Sequence, residues 1–182
     1  MKLIETGIED LFVLEPTVHK DHRGYFLESF NSQTFQKLGL SYSFLQDNES
    51  YSQYGTLRGL HYQTGEAAQA KLVRVLEGVV FDVAVDLRPK SKTFAKWFGV
   101  ELTAENKKQM IIPRGFAHGF VVLSKTALFA YKCDNFYSKE NEGGVLYSDG
   151  TLDIDWRIPV QDIIISEKDK NLPNLKNAKV AI

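Results

Sequence analysis

Side chains that can exchange protons or bind anions are concentrated in a few short segments: residues 46–50, 55–63, 111–120, 131–137 and 166–169. Two segments contain one histidine each, His61 and His118, and another contains two tyrosines, Tyr131 and Tyr137. Histidine, tyrosine and carboxylate side chains serve as acids, bases or metal ligands, and arginine and amide side chains bind anionic or hydroxylated ligands. These segments are therefore the candidates for a catalytic or binding site.

A structural role is the first alternative for each of these residues. A lone histidine in a strand, such as His61 or His118, is more often packed and hydrogen-bonded than catalytic. Taken alone, the two tyrosines are core or rim aromatics, and Asp169 is a solvated charge in a polar C-terminal stretch. No single residue defines a site.

A metal site is the second alternative. The spacing of Pro113, Gly115 and His118 resembles the second metal-binding motif of the cupin superfamily. The first motif of that superfamily needs two histidines separated by one residue, whereas here His61 is followed by Tyr62 and Gln63. Too few ligands are present for a usual three- or four-ligand site. The pattern favours a cupin-like scaffold without a metal.

The elements that must position these residues are short strands. Residues 72–76 and 79–87 are apolar runs joined by a turn containing Gly78, which predicts a hairpin. In the second run, alternate apolar residues share one face, and Asp82 and Asp86 lie on the other. Further strands are predicted at residues 97–102, 108–112, 119–123, 127–133 and 143–147. The only predicted helix spans residues 32–38, with Ser32 as its N-cap and Gly39 at its end.

Composition limits the fold class and the partners. The chain of 182 residues has no linker-like break or repeat, which predicts one domain over residues 1–182. Many short strands favour an all-β fold, an antiparallel β-sandwich, jelly roll or barrel. With 22 lysine and arginine residues against 23 aspartate and glutamate residues, the net charge is −1, which argues against bulk binding of nucleic acid or anionic membrane.

The cellular compartment is predicted from cysteine usage and hydropathy. Cys133 is the only cysteine, so the chain can form no internal disulfide, as is typical of a reducing cytoplasm. The first ten residues are interrupted by charges, unlike a signal peptide, and no apolar run is long enough to cross a membrane. We therefore expect a cytoplasmic protein.

Several motifs together resemble one family, the dTDP-4-dehydrorhamnose 3,5-epimerases. The resemblance runs from about residue 3 to residue 175 and is carried, in order, by HRGYF (22–26), RGLHYQ (58–63), AKLV (70–73), DVAVDLR (82–88), IPRGFAHGF (112–120) and KD (168–169). It implies a cupin-like jelly roll, an antiparallel β-sandwich with a few short helices. It also implies a homodimer that uses no cofactor and epimerises C3 and C5 of a dTDP-4-keto-6-deoxyhexose.

The resemblance also implies roles for four catalytic residues. His61 matches the base that removes the protons next to the ketone, and Asp169 matches the carboxylate that orients this base. Lys71 matches a lysine near the ketone oxygen, where its charge would stabilise an enolate. Tyr131 matches the acid that returns a proton from the opposite face.

The remaining matched positions are implied to bind substrate. The positions near the diphosphate or the sugar are Arg23, Arg58, His118 and Lys168. The hydrogen-bonding positions are Glu28, Gln46 and Asn48. Glu142 matches a carboxylate on the nucleotide side, and Tyr137 matches an aromatic residue that stacks on thymine.

Two features of the sequence strain this interpretation. Strict alternation would place Arg58 and His61 on opposite faces of a strand, so we expect a bulge or bend at Gly59. Residues 50–54, expected to be a loop, are less basic than in the family.

We also suggest Asp82 as a partner of Lys71, on local polarity alone.

Three other functions remain open. Some related enzymes epimerise only C3 or act on a related dTDP-4-keto-6-deoxy sugar. A non-catalytic cupin-like module that binds sugar nucleotides is the alternative from another class, and a metal-dependent cupin oxygenase is the third.

Overall fold

Two antiparallel β-sheets face each other across an apolar core in the computed structural model, which describes residues 1–182. The strands, in chain order, are β1 (Lys2–Glu5), β2 (Phe12–Glu15), β3 (Val18–Asp21), β4 (Gly24–Leu27), β5 (Gln46–Gln53), β6 (Leu57–Gln63), β7 (Lys71–Glu77), β8 (Val79–Asp86), β9 (Trp97–Thr103), β10 (Gln109–Ile112), β11 (Phe116–Val122), β12 (Thr126–Cys133) and β13 (Glu142–Gly144). The helices are α1 (Ser32–Lys37) and α2 (Glu167–Lys170), with 3₁₀ turns at Gly65–Ala67, Val160–Asp162 and Leu175–Asn177.

The first sheet has six strands in the order β1-β2-β10-β7-β12-β5, and the second has five in the order β13-β6-β11-β8-β9. Strands β3 and β4 form a separate two-stranded hairpin. All strand pairs within the sheets are antiparallel. This arrangement confirms the predicted all-β antiparallel sandwich with a few short helices.

Strand β8 shows how the apolar pattern builds the core. Val80 and Ala84 belong to the cluster buried between the two sheets. Phe81 and Val83 point to the opposite face, where the C-terminal part of the chain covers them with residues such as Trp156. Because both faces of β8 are buried, the strand is apolar almost throughout, and the predicted division of its side chains between two faces is correct.

Helix α1 covers the outer face of the first sheet and buries Phe35 in a third apolar cluster. Its N-cap is Asn31, not Ser32 as predicted, because the Asn31 side chain accepts hydrogen bonds from the backbone N–H groups of Gln33 and Thr34. An amide oxygen one residue earlier thus satisfies the free N–H groups of the first turn. The chain leaves the helix through Gly39, which has a φ of +80°.

Strand β5 is the longest element that the sequence did not predict; strands β1 to β4 and helix α2 were not predicted either. Residues 50–54 were expected to be a loop, yet β5 runs from Gln46 to Gln53 and pairs with β12 along its whole length. Its inward positions are polar because they border a cavity rather than the core, so apolar alternation is absent. The predicted strand at 143–147 is a three-residue strand, Glu142–Gly144.

No helix of the structure has the length and apolar character needed to cross a membrane.

Candidate active site

A cavity of about 660 Å³ opens between the two sheets. Strands β5, β7 and β12 of the first sheet form one wall, and β6 and β11 of the second sheet, with α2, form the other. Eight of the residues predicted from the sequence line it: Asn48, Arg58, His61, Lys71, His118, Tyr131, Lys168 and Asp169. A smaller cavity of about 300 Å³ shares four of these residues and adds Gln46, Tyr137 and Glu142. The structure therefore brings eleven of the thirteen predicted residues to one continuous region.

A bulge at Gly59 places Arg58 and His61 on the same side of β6. In the pairing with β11, His118 faces His61 and Phe120 faces Arg58, so β6 has one extra residue. Gly59 has a φ of +140°, and a Cβ there would lie 2.6 Å from the Cα of Gly119. Only glycine fits this close approach, and the expected bulge is present.

His61 is held by Asp169, which is 108 residues away in the sequence. His61 Nε2 lies 2.8 Å from Asp169 Oδ1, and the backbone N–H of Gly59 donates to Asp169 Oδ2. The Ser166 hydroxyl accepts the backbone N–H of Asp169 and so caps α2. Burial raises the pKa of Asp169, but the hydrogen bond and charge of His61, the Gly59 N–H and Lys168 together lower it below its usual value. The carboxylate can therefore orient the imidazole and stabilise its protonated form.

The Lys71 side chain enters the cavity from the first sheet and forms no hydrogen bond or ion pair within the chain. Burial lowers the pKa of its ammonium group, while the nearby Cys133, Asp82 and Glu142 oppose this shift. Its Nζ lies 6.0 Å from the centre of the Tyr131 ring. Burial raises the pKa of Tyr131. An unpaired cation in a buried cavity favours an anionic partner, such as an oxyanion on a bound ligand.

A second histidine–carboxylate pair joins His118, which lines the same cavity, to the fully buried Asp82 behind it. His118 Nε2 is 3.0 Å from both carboxylate oxygens of Asp82. Asp82 is therefore the direct partner of His118, and our suggestion that it pairs with Lys71 is wrong, although its charge does act on Lys71. Burial lowers the pKa of His118 and raises the pKa of Asp82. The sequence signal for this pair was a carboxylate within an apolar strand, β8.

Three further predicted residues meet at one side of the cavity. Lys168 forms an ion pair with Glu142, and the Tyr137 hydroxyl donates to the other oxygen of that carboxylate at 3.3 Å. The Tyr137 side chain is 54% exposed, so its ring is free to stack on a planar ligand.

Arg23 and Glu28 do not reach the cavity of their own chain. Arg23 is in the exposed turn of the β3–β4 hairpin and pairs with Asp21. Glu28 accepts hydrogen bonds from Asn31 and Thr34 at the start of α1. Both residues are exposed, and neither lines a cavity described above.

The sequence missed several residues of the cavity wall. Phe120 and Phe129 stack with ring centres 4.2 Å apart and form an apolar floor, and Ser50 and Ser166 also line the wall. The one recognisable signal was the Ser166-x-x-Asp169 spacing of a helix cap. No group of three or more His, Cys, Asp or Glu side chains is arranged to hold a metal ion.

An antiparallel β-sandwich with a histidine–carboxylate pair and an unpaired lysine in its open cavity agrees with the class of cupin-like sugar-nucleotide epimerases that the sequence resembles. A family model described as dTDP-4-dehydrorhamnose 3,5-epimerase matches residues 5–177. The chain belongs to this family.

Individual relatives agree with this assignment. The chain is 55% identical to the dTDP-4-dehydrorhamnose 3,5-epimerase of Shigella flexneri over 172 residues, covering 94% of each protein. The crystal structure of the Elizabethkingia anophelis enzyme of the same name is 60% identical, with a TM-score of 0.94 and 97% of each chain covered. A dTDP-6-deoxy-D-glucose-3,5-epimerase from Legionella pneumophila, solved in complex with dTDP-4-keto-L-rhamnose, is 49% identical with a TM-score of 0.93, covering 97% of this chain and 93% of that one.

Proposed function

We propose that the protein is an isomerase that converts dTDP-4-dehydro-6-deoxy-D-glucose to dTDP-4-dehydro-L-rhamnose by inverting C3 and C5. The observation that carries this proposal is the placement of two proton-transfer groups on opposite walls of one cavity. His61 extends from β6 of the second sheet, and Tyr131 extends from β12 of the first. A sugar ring between them meets a base on one face and an acid on the other, which is what inversion requires.

The first step is removal of a proton next to the ketone. C3 and C5 both flank the C4 carbonyl, so loss of either hydrogen as a proton gives an enolate with its charge on the C4 oxygen. His61 accepts the proton at the ring nitrogen that is not hydrogen-bonded to Asp169. The imidazole then becomes positively charged beside that carboxylate. The ammonium group of Lys71 stabilises the enolate oxygen by charge.

The second step is return of a proton to the opposite face. The Tyr131 hydroxyl gives its proton to the enolate carbon, the C4 carbonyl reforms and a phenolate is left. His61 has gained one proton and Tyr131 has lost one, so exchange with solvent restores both groups. The same sequence at the second carbon completes the double inversion.

The rest of the region is proposed to hold the dTDP sugar. Arg58, His118 and Lys168 contact the diphosphate or the sugar, as cations and hydrogen-bond donors suit phosphate oxygens. Gln46 and Asn48 hydrogen-bond the ligand, Glu142 lies on the nucleotide side and Tyr137 stacks on thymine. The substrate ketone is its own electron sink, so we propose a reaction without a cofactor or metal, in a protein of the cytoplasm.

We also propose a homodimer in which Arg23 and Glu28 contact the substrate of the partner subunit. Both residues lie off the cavity of their own chain, on or beside a hairpin that is exposed almost throughout. Tyr25 and Phe26 on this hairpin are 58% and 69% exposed, and an isolated two-stranded hairpin is rarely stable alone. Docking on a second copy would cover these aromatic residues.

Proton NMR of the substrate in deuterated water tests the reaction. We expect the signals of both the C3 and C5 protons to disappear, in chelator-treated protein as well as in untreated protein. Loss of the C3 signal alone would identify a C3 epimerase instead. Binding of dTDP without any exchange would identify a non-catalytic binding module, and activity that chelation abolishes would identify a metal-dependent enzyme.

A further inference from the structure

The segment that carries Tyr137 has no regular structure of its own. Residues 134–138 follow β12 and form neither a strand nor a helix. The Tyr137 ring is mostly exposed, and its hydroxyl makes a single long hydrogen bond, 3.3 Å to Glu142. The position of the ring therefore depends on how the backbone of this segment is held.

Three glutamine side chains hold that backbone. The side-chain oxygen of Gln46 accepts the backbone N–H of Tyr137 at 3.2 Å, and that of Gln63 accepts the N–H of Ser138 at 2.9 Å. The side-chain nitrogen of Gln69 donates to the carbonyl of Asn135 at 2.8 Å. We call these three residues the glutamine clamp. All three line the same cavity as Tyr137.

The clamp connects the two sheets at this cavity. Gln46 is the first residue of β5 in the first sheet, and Gln63 is the last residue of β6 in the second. They accept hydrogen bonds from consecutive backbone amides, so Tyr137 is fixed relative to both walls at once. Gln63 is 5% exposed, and the amide it binds would lose a buried partner if the side-chain oxygen were removed.

The chemistry of the clamp suits a site for an anionic nucleotide. Gln63 lies directly across the strand pair from Glu142, where a second carboxylate would repel the first. A neutral carboxamide supplies the acceptor oxygen without adding negative charge where a diphosphate is bound.

We propose that Gln63 and Gln69 are positioning residues for nucleotide recognition, which hold Tyr137 in its stacking position before the ligand arrives. This inference rests on the proposed function, since it takes the ligand to be a dTDP sugar. A preformed platform avoids the entropic cost of ordering residues 134–138 during binding. Neither glutamine touches the reacting carbons, so the clamp acts on affinity and not on proton transfer.

The test is a set of leucine variants measured for affinity toward dTDP alone by calorimetry. Gln63→Leu and Gln69→Leu remove the hydrogen bonds at similar side-chain size, and each should weaken dTDP binding about threefold to tenfold. Gln53→Leu is the matched control, because Gln53 is an exposed glutamine of β5 whose side chain makes no hydrogen bond. This control should bind dTDP as the unmodified protein does.

A double-mutant cycle separates positioning from general loss of structure. In a Tyr137→Ala background, Gln63→Leu should cause less than about a twofold further loss, since its effect passes through the missing ring. In the Gln63→Leu single variant, KM should rise while kcat stays within about twofold of the value for the unmodified protein. The backbone amide of Ser138 should also lose its protection from hydrogen exchange.

Two results would overturn the proposal: unchanged dTDP affinity in both leucine variants, or an equal loss with and without Tyr137. If Gln63→Leu does not fold, Gln69→Leu and its own cycle with Tyr137→Ala decide the question. A failure of the proposed function is a different result, in which the unmodified protein shows neither dTDP binding nor deuterium exchange.

Discussion

The two histidines of the cavity have the same kind of partner but different access to a ligand. The His61 side chain is 32% exposed and faces the cavity, whereas the His118 side chain is 8% exposed and its carboxylate partner is fully buried. Burial lowers the pKa of His118 and raises that of Asp82, so this pair resists carrying separated charges. Asp169, in contrast, has a lowered pKa and remains an anion that can stabilise a protonated His61. Access and electrostatics therefore both favour His61 over His118 as the proposed base.

Substitution of the base and of the acid should block different steps. His61→Asn should lower the rate of deuterium exchange at C3 and C5 about 10²- to 10⁴-fold, because the proposed base is missing. Tyr131→Phe should still allow exchange at the face of His61 but not inversion, because the donor on the opposite wall is missing. Proton NMR of substrate and product in deuterated water distinguishes the two outcomes.

An exposed tyrosine of β5 provides the control for these substitutions. Tyr51→Phe removes a hydroxyl that points away from the cavity and should leave both exchange and inversion unchanged. Continued exchange in His61→Asn would show that another group is the base.

The charge of Lys71 should set the alkaline limit of activity. Burial lowers the pKa of Lys71, so this residue loses its charge at a lower pH than an ordinary lysine. Burial raises the pKa of Tyr131, which therefore stays protonated over the same range. We expect kcat/KM to fall as the pH rises through the lowered pKa of Lys71. In Lys71→Arg the fall should move to higher pH, and an unchanged alkaline limb in a pH–rate profile would assign it to another group.

At the scale of elements, apolar pattern predicted most strands of the sandwich but not β5, which borders the cavity. Strands such as β8 and β11 are buried on both faces, and their continuous apolar runs are visible in the sequence. Strand β5 alternates between exposed positions and polar positions that face a cavity, so it has no apolar period to detect. Because the inward side chains of β5 are polar and line the cavity, the strand lacks the apolar alternation by which a strand is recognised in a sequence.

The bulge in β6 is predicted to be essential for both fold and activity. Gly59→Ala places a Cβ against the backbone of Gly119 and forces an alanine to adopt a φ of +140°, which side chains with a Cβ rarely do. We expect a loss of stability of about 1–3 kcal/mol or more, and loss of activity, because Arg58 and His61 share the cavity only through this bulge. Urea unfolding and the exchange assay measure the two effects. Gly150→Ala is the control, since no atom lies within 4 Å of its added Cβ, and a Gly59→Ala protein as stable as this control would contradict the assignment.

The cap of α1 offers a direct comparison between the sequence prediction and the structure. Asn31→Ala removes the acceptor for two backbone N–H groups and should cost about 1 kcal/mol in the free energy of unfolding. Ser32→Ala, at the residue predicted from the sequence, should change this free energy by less than about 0.5 kcal/mol. Urea unfolding of the two variants measures the difference. A larger decrease in the free energy of unfolding for Ser32→Ala than for Asn31→Ala would show that Ser32 is the N-cap, as predicted from the sequence.

At the scale of the whole molecule, a net charge of −1 does not reveal that three cationic side chains converge on one cavity, where Glu49 and Asp169 also lie. Arg58, Lys71 and Lys168 are widely separated in sequence yet meet at one cavity. Asp169 joins them from 108 residues beyond His61, on a four-residue helix that no apolar pattern could reveal. The family motifs predicted this convergence, whereas composition and periodicity alone could not, because long-range packing decides it.

Arg23 is the predicted cation that does not join this group within one chain. Its side chain is 78% exposed, on a hairpin that makes little contact with its own sandwich. If Arg23 serves the site of the partner subunit, a mixed dimer can recover activity that two defective homodimers lack. Arg23→Ala chains retain His61 but lack the arginine, and His61→Asn chains have the reverse defect.

Coexpression of these two chains under different tags tests the arrangement. In a dimer with one chain of each kind, one of the two sites has both His61 and the partner's Arg23, and the other site has neither. When the two chains pair at random, about half of the dimers are mixed and each mixed dimer has one complete site, so the activity per chain should return to about one quarter of the unmodified value. Purified doubly tagged dimers should reach about one half of that value. Action of Arg23 within its own chain predicts no recovery, because every site would then lack one of the two residues. A light-scattering mass equal to a single 20.7 kDa chain would likewise contradict the dimer.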